Sequence, residues 1–308
     1  MLVYCGGHFD CYSDPNTINM GNAVTNSSVY QMIAPTDTQR LPLLLDSPHS
    51  GDIFPQGFSP TPPRAVLQTA WDGFVDDLWS GVVGDGGTLV HALFPRVYID
   101  PNRAPDDIDP DDINGTLSFR PDPSVYSARG MGLIRRMALP DLPMYEKPPT
   151  AKDVEQRIQN YYRPYHRQIS DQLDDMQQTF GGVWHINCHS MKSRGNAMNI
   201  DSGETRADIV LGDLCGTSCE ASFIATIEQA FRERGYKVVR NTPYQGGYMV
   251  RLHGQPKVNR HSLQIEINRA IYMNERAFEK NENYTCVKKH LGEISALIAH
   301  YVKSRISA

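Results

Sequence analysis

The chain has 308 residues, of which 40% are hydrophobic and 21% are charged, with a formal net charge of −5. This balance is ordinary for a globular protein, and a net negative charge gives no electrostatic reason to expect nucleic acid as a partner. No apolar run approaches the ~20 residues that a membrane span needs, so no membrane partner is expected. Residues 1–7 lack the basic-then-apolar pattern of a signal peptide and the six cysteines are scattered, which predicts a cytoplasmic protein.

Two regions differ in composition and periodicity. Residues 1–40 are rich in Asn, Ser, Thr, Gly and Asp, which predicts an N-terminal extension that wraps the body or forms an irregular flap. Residues 41–308 hold the periodic segments, and we predict that they form a single catalytic α/β domain.

Within this body, short apolar runs alternate with helical patterns and with loops rich in Pro, Gly and Asp. The predicted elements of the first half are, in order, a buried strand at 41–47, a helix from about Pro63, a loop entering a helical segment over 72–79, strands at 88–92 and 97–99, and a long loop at 104–130. The second half is predicted to hold a helix over 151–179 kinked at Pro164, a strand from Trp184, a helix after an N-cap at Ser218, strands at 237–239 and 263–267, and a helix over 284–305. This alternation predicts a three-layer αβα fold with a mixed, mainly parallel central sheet.

Chemically versatile residues follow several of these strands. His49 comes just after the first buried strand, and His189 stands at the end of the strand that begins at Trp184. Two histidines and a carboxylate around an open position are the usual ligands of a catalytic zinc ion. A single histidine at a strand end more often forms ordinary hydrogen bonds, so spacing alone leaves both readings open.

Acidic and basic side chains complete the set that zinc hydrolysis requires. Periodicity does not choose the third ligand among Asp52, Asp72 and Asp76, and the latter two also suit a helix cap. The turn Asp100-Pro101-Asn102-Arg103 suits bidentate capture of a carboxylate, although Arg103 paired with a nearby aspartate is equally compatible. Glu266, on the polar side of its strand, is placed to act as a base if a metal lies nearby.

Taken together, several segments resemble one family. The matching segments are Ser47-Pro48-His49-Ser50-Gly51, Asp72-x-x-Val75-Asp76-x-Leu78, Arg96 through Arg103, Tyr162-Arg163-Pro164-Tyr165-His166, Cys188-His189-Ser190-Met191, Gly246-Gly247 through Arg251, Gln264-Ile265-Glu266, and Tyr272-Met273. In this combination and order, the chain resembles the N-formylglutamate amidohydrolase family from about residue 41 to 275.

The resemblance implies a fold similar to zinc carboxypeptidases and aspartoacylase-type deacylases, with one zinc ion. The roles that it implies are metal ligation by His49, Asp72 and His189, base catalysis by Glu266, oxyanion stabilisation by Arg96, and substrate binding by Asn102, Arg103 and Arg251. Arg251 is preferred as the second cation because it follows the Gly246-Gly247 turn, whereas Arg135 and Arg136 read better as a solvated pair.

Two positions depart from what the resemblance implies. Carboxypeptidase-type sites place an acid three residues after the first histidine, where this chain has Asp52; the amidohydrolase pattern favours Asp72, with Asp76 and Asp52 as alternatives. The family often has an aspartate two residues before the second histidine, where this chain has Asn187. An amide there would orient the ligand less strongly than a carboxylate does.

Three functions are compatible with the sequence. The first is zinc-dependent hydrolysis of N-formyl-L-glutamate to formate and L-glutamate, as in histidine degradation. The second is a zinc hydrolase of the same design that acts on another N-acyl amino acid or a short peptide. The third is a non-catalytic member of the fold that binds a small acid.

Overall fold

The computed structural model of the protein describes residues 22–36 and 39–306. Within these residues an eight-stranded sheet has the order β1-β2-β4-β3-β7-β10-β8-β9. Its strands are β1 (Ala23–Asn26), β2 (Tyr30–Ala34), β3 (Leu43–Ser47), β4 (Thr88–Ala92), β7 (Val183–Met191), β8 (Ile209–Gly212), β9 (Val238–Arg240) and β10 (Arg260–Asn268). Two small hairpins lie outside it, β5 (Met137–Leu139) with β6 (Leu142–Pro143), and β11 (Met273–Asn274) with β12 (Glu279–Lys280).

The centre of the sheet is parallel and buried on both faces. Strand β3 pairs in parallel with β4 and β7, and β7 pairs in parallel with β10, whereas β1, β2 and β8 add antiparallel pairs. All five residues of β3 and all nine of β7 are buried, and for β3 the apolar run that begins at Leu41 predicts this. Because β3, β7 and β10 run in the same direction, the residues at their carboxyl ends meet at one edge of the sheet.

Helices cover both faces of this sheet. The α-helices are α1 (Arg64–Leu67), α2 (Val75–Leu78), α3 (Ala151–Arg157), α4 (Arg163–Phe180), α5 (Ala221–Glu233), α6 (Tyr248–His253) and α7 (Tyr284–Ile306). One core joins α2, α5 and α7 to the sheet, and a second joins α3 and α4 to its other face. The predicted three-layer arrangement with a mixed, mainly parallel sheet is therefore confirmed.

The long helix predicted over 151–179 is interrupted before its proline. A π-helical turn at Ile158–Tyr162 joins α3 to α4, and Pro164 lies in the first turn of α4. A proline donates no backbone hydrogen bond and is tolerated in a first turn, so the irregularity falls on the residues before it.

Two local predictions are wrong. Residues 97–99 form no strand; the segment turns instead, with the Asp100 carboxylate accepting from the Asn102 amide at 2.9 Å. Helix α5 begins after Glu220, whose side chain forms no capping hydrogen bond, and the Ser218 hydroxyl donates to the Ser262 carbonyl. In the described part of the predicted N-terminal extension, β1 and β2 lengthen the sheet beside β4. Most of residues 1–40, namely 1–21 and 37–38, lies outside the described residues.

The apolar segments of this fold are short or amphipathic. In the part of the chain that the structure describes, none of the helices combines the length and apolarity needed to cross a bilayer.

Candidate active site

Two histidines and one aspartate converge at the carboxyl edge of the parallel strands. His49 follows β3, His189 lies near the end of β7, and Asp72 lies in the loop before α2. The Asp72 Oδ2 atom lies 3.0 Å from His189 Nδ1 and 3.3 Å from His49 Nδ1. All three residues are buried, and among the described residues they form a cluster whose candidate ligand atoms lie within 4.8 Å of one another.

The Asp72 carboxylate is held in this position from several sides. Its Oδ1 accepts from Arg269 Nη2 at 2.7 Å, and its Oδ2 also accepts from the Ser190 backbone amide at 3.2 Å. Burial alone would raise the pKa of Asp72, but the contacts with His189 and His49 and the charge of Arg269 hold it well below its usual range. Asp72 is therefore an ionised buried carboxylate, as a metal ligand must be.

The two alternative acids lie elsewhere. Asp52 forms an ion pair with Arg64 at 2.5 Å, and Asp76 lies 3.6 Å from His91. Neither belongs to the cluster around His49 and His189. Of the three aspartates considered from the sequence, Asp72 alone reaches both histidines.

The ring nitrogens that face away from Asp72 have firm partners. His49 Nε2 lies 2.7 Å from Asp100 Oδ1, and His189 Nε2 lies 2.7 Å from Asn187 Oδ1. Both partners are acceptors, as a proton on Nε2 and a lone pair on Nδ1 require, while the donor Asn102 Nδ2 also lies 3.0 Å from His189 Nε2. The buried His49 Nδ1 has no hydrogen-bond partner among the described residues, although Asp72 is near. An unsatisfied buried nitrogen beside a carboxylate and a second imidazole is the donor set that zinc prefers.

Glu266 stands beside this cluster on the neighbouring strand. In the parallel register of β7 and β10, Glu266 is paired with His189. Its Oε1 accepts from Gln264 Nε2 at 2.9 Å. Burial raises the pKa of Glu266, and the charges of His189 and Arg96 only partly offset that effect. A carboxylate with a raised pKa at the edge of a cavity is suited to accept and return a proton.

Arg96 lies between the cluster and the cavity. Its Nε and Nη2 donate to Asp100 Oδ2 at 3.1 and 2.6 Å, and its Nη1 lies 4.0 Å from Asp72 Oδ1. The ion pair fixes the guanidinium plane, so its cavity-facing edge is oriented before any ligand binds.

Asn102 and Arg103 both line the cavity. The Asn102 side chain contacts a histidine of the cluster, whereas the Arg103 side chain stacks on an aromatic ring. Asn102 Nδ2 lies 3.0 Å from His189 Nε2, and Asn102 Oδ1 accepts from the Met249 amide at 3.0 Å. A Cβ atom on Gly247 would lie 2.3 Å from Asn102 Nδ2, which explains a glycine at that position. Arg103 stacks on Tyr126, with Cζ 4.1 Å from the ring centroid, and donates from Nε to the Met131 carbonyl at 3.0 Å.

The cavity beside the cluster has a volume of about 130 Å³, which is below the usual range of pockets for drug-sized ligands. Arg103, Arg135 and Lys192 line it and form no ion pair with a carboxylate among the described residues; we call these three the cationic wall. Burial and the charge of Arg96 lower the pKa of Arg135. Burial and the charges of Arg269 and Arg135 lower the pKa of Lys192 to about 8. Crowded cations that form no ion pair are typical of a site for an anionic ligand.

Two sequence predictions about cations are corrected here. Arg135 is not solvated: its relative exposure is 8%, and only its neighbour Arg136 is exposed, paired with Asp112 at 2.8 Å. Arg251 is exposed on α6 and is not among the residues that line the cavity. The glycine turn before Arg251 contributes its own backbone to the cavity, and α6 then carries Arg251 away from it.

Three other cavity residues were not predicted from the sequence. Lys192 follows the end of β7, Arg206 pairs with Asp201 at 2.7 Å, and Arg269 reaches Asp72 from the turn after β10. Arg269 stands three residues after Glu266 at the carboxyl edge, a position that could have marked it. The roles of Lys192 and Arg206 depend on how loops fold over that edge.

The fold and the site together define a class of protein. A buried His–Asp–His cluster that could hold a metal ion, a neighbouring glutamate, a fixed arginine and a small cavity are features that a hydrolase of small substrates requires.

Comparison with known proteins is consistent with that class. A family model described as N-formylglutamate amidohydrolase matches residues 41–273. The N-formylglutamate deformylase of Pseudomonas aeruginosa is 27% identical over 244 residues, which cover 77% of this chain and 84% of that protein. The N-formylglutamate deformylase of Pseudomonas putida is 27% identical over 243 residues, which cover 77% and 83%.

Solved structures extend the comparison to the fold. The N-formylglutamate amidohydrolase from Ralstonia eutropha JMP134 is 40% identical with a TM-score of 0.86, and the match covers 90% of this chain and 99% of that one. A gene product of Agrobacterium tumefaciens, 18% identical with a TM-score of 0.58, shares the fold over 91% of this chain and 96% of its own. The chain belongs to the N-formylglutamate amidohydrolase family. The prediction that it is a hydrolase of amide bonds is confirmed.

Proposed function

We propose that the protein is a zinc-dependent deformylase that converts N-formyl-L-glutamate to formate and L-glutamate in the cytoplasm, as a step of histidine degradation, and that residues 41–308 are its catalytic domain. The observation that carries the proposal is the cluster of His49, Asp72 and His189 beside Glu266 and a cavity with three unpaired cations. The relatives named N-formylglutamate deformylase support the choice of substrate.

One zinc ion fits the residues present. His49 and His189 would bind through Nδ1 and Asp72 through its carboxylate. Zinc bound there would polarise the formyl carbonyl and lower the pKa of water. The ring protons on Nε2 stay with Asp100 and Asn187, which keep both imidazoles in the ligating tautomer.

Glu266 is the proposed base. Its carboxylate takes a proton from the attacking water and returns it to the departing nitrogen, so that the C–N bond breaks with release of a neutral amine and not of an amide anion. Gln264 orients this carboxylate by donating to its Oε1, and Gln264 Oε1 accepts from the Gly247 amide at 2.6 Å. The base is thereby connected to the glycine turn that forms part of the cavity.

Arg96 is the proposed oxyanion donor. The negative charge that develops on the formyl oxygen during water attack is stabilised by a cation that is already oriented. Because Asp100 holds both Arg96 and His49, one carboxylate aligns the oxyanion donor with a metal ligand.

The two carboxylates of N-formylglutamate require two cationic contacts. We assign the α-carboxylate to Arg103, with Asn102 as its neighbour on the cavity wall, and the side-chain carboxylate to Arg135 and Lys192 in place of Arg251. On an exposed surface these cations could bind any anion. Inside a small cavity they bind a ligand whose two carboxylates are spaced to reach them.

The test is formate release by purified protein from N-formyl-L-glutamate, compared with N-acetyl-L-glutamate and a formylated dipeptide, before and after chelation and zinc repletion. We expect zinc-dependent formate release from N-formyl-L-glutamate. Turnover of the acetyl or peptide substrate alone would favour another N-acyl amino acid or peptide hydrolase. Binding of these acids without turnover by the zinc-loaded protein would indicate a non-catalytic member of the fold.

A further inference from the structure

The two histidines of the cluster are supported in different ways. Behind His49 stands a carboxylate, Asp100, at 2.7 Å, whereas behind His189 stands a neutral amide, Asn187, also at 2.7 Å. A carboxylate raises the basicity of a ligating imidazole more than an amide does. By itself Asn187 would therefore make His189 the weaker ligand.

The orientation of Asn187 is fixed by a third residue. Its Nδ2 donates to Asp46 Oδ1 at 2.8 Å, so its Oδ1 must face His189. Asp46 and Asn187 are register partners on the parallel pair β3 and β7, which places their side chains on the same face of the sheet. Asp46, Asn187 and His189 thus form a continuous row of carboxylate, amide and imidazole.

Asp46 is a fully buried carboxylate, with 0% relative exposure. It accepts from His185 Nε2 at 2.8 Å and from the Tyr165 hydroxyl at 3.0 Å, in addition to Asn187. Burial alone would raise its pKa, but the contacts with His185 and Asn187 lower it, so the group is ionised. Burying a charge is costly even when it is paired, and replacement by apolar residues often stabilises a protein. The position therefore calls for a role other than stability.

We propose that Asp46 is a positioning residue that supplies to His189, through Asn187, the negative charge that Asp100 supplies directly to His49. The inference rests on the metal site of the proposed function. The amide transmits the charge because its donor end is held by the carboxylate and its acceptor end therefore meets the imidazole N–H. Asn187 stands where the family often has an aspartate, and the carboxylate of Asp46, one residue further from the metal site, then compensates for that difference.

Exchanging the carboxylate of Asp46 and the amide of Asn187 tests this proposal directly. Asp46→Asn preserves shape, since an amide oxygen still accepts from His185 and Asn187 while the amide nitrogen meets the Tyr165 hydroxyl. We expect the zinc dissociation constant, measured by chelator competition, to rise about 10- to 100-fold. Asn187→Asp places two carboxylates together and disturbs the row. The double variant D46N/N187D restores one carboxylate, now beside His189, and should recover zinc affinity to within about threefold of the parent.

Tyr165→Phe is the matched control, because it removes a contact to the same carboxylate without interrupting the row. It should lower the thermal midpoint yet leave zinc affinity within about threefold. Parental zinc affinity in D46N, or a double variant no tighter than D46N, would overturn the proposal. If D46N does not fold, Asn187→Ala, which leaves Asp46 with His185 and Tyr165, must show the same loss; unchanged zinc affinity there overturns it equally. A parent protein that binds no zinc would instead refute the proposed function.

Discussion

The metal-ligand cluster and the cationic wall occupy one cavity but handle charge in opposite ways. Around the cluster each cation has a carboxylate: Arg96 is paired with Asp100 and Arg269 with Asp72. On the wall, Arg103, Arg135 and Lys192 have no carboxylate partner among the described residues. Paired charges fix geometry before the substrate arrives, whereas unpaired ones are neutralised only by the substrate. Substitutions in the two regions should therefore have different kinetic signatures.

The largest effect is expected at the base. Glu266→Gln replaces the carboxylate by an amide, which keeps the position polar but cannot accept the proton from water. General base catalysis typically contributes about 10²- to 10⁴-fold to the rate. We expect kcat for formate release to fall by that factor with KM and bound zinc unchanged. Steady-state kinetics together with metal analysis check this, and loss of zinc in the variant would show that Glu266 acts on the metal instead.

On the cationic wall the expected signature is reversed. Arg135→Met should raise KM for N-formyl-L-glutamate about 10- to 100-fold, the value of a charged hydrogen bond of about 1.5–3 kcal/mol, with a smaller change in kcat. Removing an uncompensated buried charge should also leave the thermal midpoint unchanged or raise it. Arg136→Met, at the exposed neighbour, is the control and should keep parental kinetics.

Lys192 should add a pH dependence. Its pKa of about 8 means that it is protonated and able to bind a carboxylate below that pH, and neutral above it. The parental kcat/KM for N-formyl-L-glutamate should therefore fall as pH rises through about 8, since kcat/KM reports groups of the free enzyme. Lys192→Met should lower kcat/KM roughly tenfold at pH 7 and abolish this alkaline decline. A decline that persists unchanged in the variant would assign it to another group.

The smallest effect is expected at Arg251. Because that side chain is exposed on α6 and does not line the cavity, Arg251→Met should change kcat and KM by less than about twofold. A rise in KM comparable with that of Arg135→Met would restore the original assignment of Arg251 and remove Arg135 from the substrate site.

Much of the fold was readable from the sequence because its signals are local. A continuous apolar run marked β3 as a strand buried on both faces, a short apolar start marked β7 as a strand, and the 3.6-residue period marked α4 and α7. The strand predicted at 97–99 does not form, which shows that a short apolar run alone does not identify a strand. Val97 and Ile99 are buried by packing against other apolar side chains and not by pairing with the sheet.

The candidate site likewise contains some residues that could be predicted from the sequence and others that could not. His49 and His189 follow buried strands, and parallel strands bring such residues to one edge, so their meeting could be predicted. The choice of Asp72 over Asp52 depends on a loop folding back onto His49, where the Asp72 amide donates to the His49 carbonyl at 3.1 Å. Arg135 could not be recognised because its burial follows from tertiary packing and its sequence context resembles an exposed loop.

The central claim is that His49, Asp72 and His189 hold one zinc ion beside Glu266. Anomalous diffraction from crystals of the zinc-loaded protein, recorded on both sides of the zinc absorption edge, tests it most directly. We expect a single strong peak at about 2.0–2.2 Å from both Nδ1 atoms and a carboxylate oxygen of Asp72. A peak at other residues, or no peak in protein that releases formate at full rate, would contradict it.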